Sequence, residues 1–372
     1  MKIAFLSNYF NHHQRFLSNA LSEKCEYSFI ETSSMTEERI NLGWGVSSVP
    51  NYVKNYKAQK EECDKILEEA DAIIYGSAPY SIIEKELKRG KPVFVYSERI
   101  YKKPVKWYMY PVRWVQFFKK WGRYKNAYLL CASAYTALDY AKTGTFKNKA
   151  FKWGYFPECK KYENIDSLIE RKQKNSILWC ARFIDWKHPE SALAVAQNLK
   201  ASGYEFQLNM IGVGKMQQEI SNKIIELGLE NEVHLLGSMK PEQVREIMEQ
   251  SEVFIATSDR QEGWGAVLNE AMNSACAVVA NNEMGSAPYL VENGVNGLLY
   301  YENNIEELCE KVKFLLDKYE KRIEYSKKAY ETIVDEWNSE KAASRLVDLV
   351  KLQLTGNANQ KMFSYGACSK AN

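Results

Sequence analysis

A chain of 372 residues is too long for one ordinary domain and long enough for two that each bury a core. Its 45% hydrophobic and 26% charged residues are an ordinary globular composition, and no apolar run approaches the ~18 to 20 residues of a membrane span, so any membrane contact is expected to be peripheral. The net charge is only +3, but residues 1–160 hold 26 Lys and Arg against 16 Asp and Glu, and residues 161–372 hold 24 against 31; the basic half is expected to face an anionic surface or substrate.

Short apolar runs alternate with amphipathic stretches from the start. The N-terminus, MKIAFLSNYF, reads as a first strand (2–7) and not a signal peptide, with a helix expected near Gln14–Ser22. Strands are expected at 27–32, 72–76, 92–97 and 127–133. Residues 154–175 are polar, contain Pro157 and read as a linker. The rhythm then restarts at 176–182, 206–212, 233–237, 253–258 and 277–282. Two doubly wound, parallel α/β domains in tandem follow from this pattern. From about Thr355 the chain is polar and is expected to fray. Eight cysteines are scattered with no C-x-x-C and no Cys/His cluster at metal spacing, which suits reduced thiols in a cytoplasmic compartment.

The most informative stretch is TSDRQEGWGAVLNEAM. A strand ends at Ser258, Glu262 lies in the loop, a helix is expected near Gly265, and Glu270 lies eight residues after Glu262. Gly263 and Gly265 allow a ligand close to the backbone, and the helix start favours an anion. A phosphate flanked by two carboxylates suits a nucleotide sugar; the alternative is two solvated glutamates at a helix start. Upstream, ILWCARFIDWKHPE places Arg182 and Lys187 five residues apart after a strand. Two cations there suit a pyrophosphate, whereas taken alone they could be solvated loop residues. The G-x-G of NMIGVGK (Gly212, Gly214) follows another strand and is a weak signal by itself.

The pattern E-G-W-G-A-V-L-N-E-A-M resembles the E-x7-E signature of family 4 retaining glycosyltransferases, which have the GT-B fold of two Rossmann-like domains facing across a cleft. The resemblance implies that Glu262 contacts the donor sugar and Glu270 the ribose. It places Gly263, Trp264, Gly265, Ala266 and Gly212 at the donor, and Arg182 and Lys187 on its diphosphate. Ala181 stands where the family usually has Gly, and MGSAPYLVENGVNGLLY matches a further family pattern in which Gly285 and Ser286 line the donor pocket. The resemblance covers residues 176–345 well and the N-terminal half in rhythm only. It implies an N-terminal acceptor domain (1–160), a C-terminal nucleotide-sugar domain (161–340) and a crossing helix with a polar tail (341–372).

On the acceptor side the family's usual Gly pair after the first strand is missing. Asn11, His12 and His13 stand there, and His13 and Asn11 are candidates for acceptor contact; loop histidines at a helix start are the alternative. Glu98 follows a middle strand where relatives carry a His. It is a candidate for orienting the acceptor hydroxyl, the alternative being a surface Glu paired with Arg99 or a nearby Lys.

Residues 99–125 hold nine Lys/Arg, nine aromatics and no acid. Two prolines argue against one unbroken helix. A peripheral membrane or lipid-linked-acceptor surface is the expected role, against nucleic-acid binding or a partly buried helix pair. No D-x-D stands at a strand end, so no metal or cofactor is expected. The expectation is a metal-independent, retaining transferase of hexosyltransferase type using a nucleotide diphosphate sugar (UDP first) and a glycan or lipid-linked acceptor, in surface polysaccharide synthesis. No nucleic-acid partner is expected. The competing class is a non-catalytic GT-B-like subunit that docks on a membrane or partner.

Overall fold

The structure is a computed structural model that describes residues 1–35, 48–356 and 363–371. The chain divides into two compact units, one formed by Met1–Glu158 with Trp337–Asn372 and the other by Cys159–Glu336.

The first unit is built on a seven-stranded sheet: β1 (Lys2–Ser7), β2 (Glu26–Glu31), β3 (Val53–Asn55), β4 (Ala72–Tyr75), β5 (Val93–Ser97), β6 (Ala127–Cys131) and β7 (Ala150–Lys152). The strands are parallel in the order β3-β2-β1-β4-β5-β6-β7. Ile3 to Leu6 are almost wholly buried, as continuous apolar strands covered on both faces should be. The first helix runs His12–Lys24, longer at both ends than the sequence suggested. Asn11 caps it in a capping box with Gln14, which moves the start to His12.

The second unit repeats the plan with β8 (Gln173–Cys180), β9 (Gln207–Ile211), β10 (Val233–Gly237), β11 (Ser251–Ala256), β12 (Ala277–Asn281) and β13 (Leu298–Tyr300), parallel in the order β10-β9-β8-β11-β12-β13. In both sheets the order reverses beside the first strand, between β1 and β4 and between β8 and β11. The crevice at the carboxyl ends of such a strand pair is where open α/β sheets bind ligands. The stretch read as a linker contains a helix, Ile165–Glu170, whose Leu168 and Ile169 pack with Ala275 and Tyr330.

Two further segments complete the first unit. The helix Ser339–Thr355 belongs to the first unit, where Lys24 pairs with Glu340 at 3.4 Å. Past it, residues 363–371 do not fray. Lys152 donates its N–H to the Ser369 carbonyl, and Cys368 donates to the Lys152 carbonyl, both at 2.8 Å; Ala367 and Cys368 are fully buried. A polar composition concealed this segment because its contribution is backbone pairing that covers the open edge of β7. In residues 99–125, Pro111 lies in the first turn of the helix Tyr110–Phe117, where its missing N–H costs nothing, so it does not break the helix.

Candidate active site

In the second unit, β8 and β11 end side by side, and the loops after them carry Arg182, Lys187 and Glu262. Lys187 is fixed from behind. Trp179 Nε1 donates to Thr257 Oγ1 (2.8 Å), and that hydroxyl donates to the Lys187 carbonyl (2.6 Å). Beside it, the Asp259 N–H donates to the Trp186 carbonyl at 3.0 Å. The loop after β11 therefore holds the turn after β8 through two adjacent carbonyls. Lys187 Nζ then meets the Glu262 carboxylate directly, with 11% and 16% of the two side chains exposed. Two opposite charges in contact at low exposure leave neither one desolvated alone.

His188 follows with a left-handed backbone (φ 49). Its Nδ1 lies 2.9 Å from Glu190 Oε1 and its Nε2 3.3 Å from Asp259 Oδ2. The Glu190 hydrogen bond raises its pKa against the opposing pull of burial. Arg182 is exposed and has no carboxylate partner among the described residues; its guanidinium lies 5.8 Å from the Trp186 ring centroid. Cys180, at the end of β8, is pushed up to about 12 by burial, with Glu270 raising it further and Lys187 opposing.

The glycines act as the chain path requires. Gly212 has φ +134, and a Cβ there would collide with the Ala181 carbonyl. Gly265 has φ +86, and a Cβ there would collide with the Met284 side chain. Gly263 is buried, and Gly265 and Ala266 are half-buried ahead of the helix Val267–Asn273. That helix starts two residues later than expected and has only seven residues, so its dipole is a smaller term than the side-chain charges.

Trp264 departs from its expected place at the donor. It is fully buried, Nε1 donates to Asn269 Oδ1 at 2.9 Å, and its carbonyl accepts from the Ser286 N–H at 3.1 Å. Its ring is core, and it ties the E-G-W-G loop to the loop after β12. Ser286 is fully buried, and its Oγ has no partner among the described residues.

In the first unit, His13 and Glu98 converge on one side chain. Tyr155 donates its hydroxyl to Glu98 Oε1 at 2.6 Å and stacks on His13 with centroids 5.7 Å apart. Lys102 Nζ lies 2.5 Å from Glu98 Oε2, so the partner of Glu98 is a nearby Lys and not Arg99, which lies against Asp139 at 3.5 Å. Burial pushes the His13 imidazole down to about 3, with neighbouring His12 adding to the effect. Asn11 is withdrawn from ligand contact, because its side-chain oxygen accepts the His13 N–H (3.0 Å) as the helix cap.

Residues 160–332 match the family described as glycosyl transferases group 1. Over 159 residues the chain is 32% identical to an uncharacterized glycosyltransferase of Methanocaldococcus jannaschii, covering 43% of each chain. Over 137 residues it is 28% identical to a putative colanic acid biosynthesis glycosyltransferase of Salmonella typhimurium, covering 36% of this chain and 34% of that one. The chain spans less than half the length of these curated relatives. Among solved structures, HepE of Anabaena, crystallised with UDP, superposes with a TM-score of 0.69 at 16% identity, covering 94% of this chain and 100% of that one. The chain has the α/β GT-B fold.

Within the matched segment, the residues that sequence reasoning passed over are those that hold others in place. Thr257 and Trp179 pin the Lys187 carbonyl, and His188 sits between Glu190 and Asp259. Only W-K-H-P-E, with a His beside a candidate Lys, carried a signal. Tyr155, in the first unit, carried none, because it lies in a stretch whose composition read as a linker.

Proposed function

We propose that this chain is a retaining glycosyltransferase of hexosyltransferase type that moves a sugar from a nucleotide diphosphate sugar, UDP-sugars first, to a saccharide or lipid-linked saccharide. We assign it to surface polysaccharide synthesis at the cytoplasmic face of the membrane. The observation that carries the reading is the contact of Lys187 with Glu262 at the β8/β11 crevice, with Arg182 exposed on the same turn. A cation pair and a carboxylate at the carboxyl ends of these strands match what a sugar diphosphate presents. The group 1 match, the colanic acid relative and the UDP-bound neighbour support the same direction.

In this reading, Arg182 and Lys187 take the diphosphate charge in place of a metal ion. Glu262 is released from Lys187 to accept hydrogen bonds from donor-sugar hydroxyls, and Glu270 accepts those of the ribose. Gly212, Gly263, Gly265 and Ala266 leave room for the donor along the backbone. The bond from the anomeric carbon to the phosphate oxygen breaks as the acceptor hydroxyl oxygen bonds that carbon from the same face. The acceptor proton passes to the departing phosphate oxygen. Cations already in place stabilise the charge growing on that oxygen. His13, Glu98 and Tyr155 belong to the acceptor side.

The test is release of the nucleotide from a panel of UDP-sugars, alone and with saccharide acceptors, with the anomer of any product read by NMR. The reading expects turnover with one donor, a fall of about a hundredfold or more in Lys187→Met, and an α product from an α-linked donor. A β product contradicts retention. Equal turnover in Lys187→Met contradicts the site.

A further inference from the structure

The segment with nine cations, nine aromatics and no acid forms one continuous feature of the first unit: a turn at Trp107–Met109, the helix Tyr110–Phe117 and a wider turn at Phe118–Gly122. Its inner side is anchored. Tyr110 packs against Tyr101 at 5.7 Å, Arg113 lies 5.1 Å from the same ring, and Phe117 meets Tyr140 at 5.5 Å. Trp121 is buried between Tyr75 and Tyr80. These positions recur at helical spacing, so the opposite side must face outward.

That outer side is apolar. Trp107 is 82% exposed and Tyr108 52%, and Val112, Trp114, Val115 and Phe118 are exposed as well. No residue of the helix Tyr110–Phe117 is buried. Trp114 and Phe118 stack at 5.1 Å with rings 5° apart, so the aromatic surface is ordered. In the same segment, Lys103, Lys106, Lys119 and Lys125 are exposed and have no carboxylate partner among the described residues. Large exposed apolar patches mark interaction sites.

We infer that the outer face of residues 107–120, with the lysines of the same segment, is a docking surface for an anionic lipid bilayer. Charge complementarity selects this occupant. Unpaired lysines in the same segment as a Trp/Tyr/Val face match anionic headgroups above hydrocarbon, with the ring edges at the interface and the lysine stems lying along the apolar surface. A second copy would bring the same cations against themselves. A nucleic acid would take the cations and the rings but leave Val112 and Val115 without a dehydrating partner. The surface belongs to the first unit and Lys187 and Glu262 to the second, and it uses none of the donor-site residues, so it holds or fails independently of the transferase reading.

The test is sedimentation of the full chain with vesicles of phosphatidylcholine alone and of equal parts phosphatidylcholine and phosphatidylglycerol. The wild type is expected to pellet with the anionic vesicles only and to be released by high salt. Each lysine near such a surface contributes about fivefold to partitioning, so Lys103→Gln, Lys106→Gln and Lys119→Gln together should lower it by about a hundredfold. Trp107→Ser with Val112→Ser and Val115→Ser should also abolish pelleting; all three sites are exposed, so circular dichroism should be unchanged. Equal pelleting with neutral vesicles, or none with either, overturns the inference. So does binding of single-stranded oligonucleotide without vesicle binding, or a concentration-dependent dimer that the serine variants dissolve. Thermal response to nucleotides in the same preparations reports the donor site separately.

Discussion

Lys187 Nζ rests against the Glu262 carboxylate, and the lysine's own carbonyl is held by Thr257, so the ion pair is fixed from the backbone outward. Removing one partner strands the other charge at low exposure. Lys187→Met should cost about 2 kcal/mol of stability, and the double variant Lys187→Met/Glu262→Gln less than the sum of the two single changes. A urea double-mutant cycle measures this. A coupling energy under about 0.5 kcal/mol would show that the pair contributes nothing.

Gly212 is set by backbone contact and not by ligand alone. Gly212→Ala places a Cβ into the Ala181 carbonyl at φ +134 and should cost about 3 kcal/mol, with loss of nucleotide response. Gly203 has φ +77 with nothing within 4 Å, so Gly203→Ala should cost only about 1 kcal/mol. Equal shifts in melting temperature for the two variants would refute this assignment.

Lys172, in the stretch that reads as a linker, is buried and donates to the carbonyls of Met248 (3.1 Å), Glu249 (3.3 Å), Ser251 (2.9 Å) and Ser274 (2.9 Å). It gathers the end of the helix Pro241–Gln250 and the turn before β12 onto one ammonium, and burial lowers its pKa. Lys172→Met orphans several of these carbonyls and should cost about 3 kcal/mol in urea unfolding.

The two histidine environments give opposite pH dependences. His13 is depressed to about 3 in the folded chain against an ordinary 6.5, so the unfolded chain binds its proton first. Its contribution is whole above pH 6.5 and is lost as pH falls toward 3. His188 is raised, so its contribution is whole below pH 6.5 and is lost as pH rises through the raised value. Stability measured from pH 5 to 8 should lose its acid-side slope in His13→Gln and its alkaline-side slope in His188→Gln. Slopes unchanged in both variants would contradict these environments.

The strands that sequence reading located are all four residues or longer. The ones it passed over, β3, β7 and β13, are three residues each, too short for any periodicity to register. Arg182, Lys187 and Glu262 stood out in the sequence as charges in the loops after two apolar strands, and Glu270 as a charge eight residues on, inside the helix Val267–Asn273. Trp264 was misplaced because spacing in a glycine loop does not tell which way an indole turns, and the Asn269 acceptor that turns it inward lies five residues away. Tyr155 was invisible for the converse reason. Its partners, Glu98 and His13, are 57 and 142 residues distant in sequence, and only the fold brings them together.

The central claim is a nucleotide-sugar donor site that includes Glu270, and thermal stability with UDP, GDP, ADP and CMP, beside Glu270→Ala, tests it most directly. A nucleotide at a hundred times its dissociation constant adds about 2.7 kcal/mol, well above detection. The account predicts that UDP raises the wild-type melting temperature most and that Glu270→Ala loses the response while keeping its fold. No response to any nucleotide, or an undiminished response in Glu270→Ala, would contradict it.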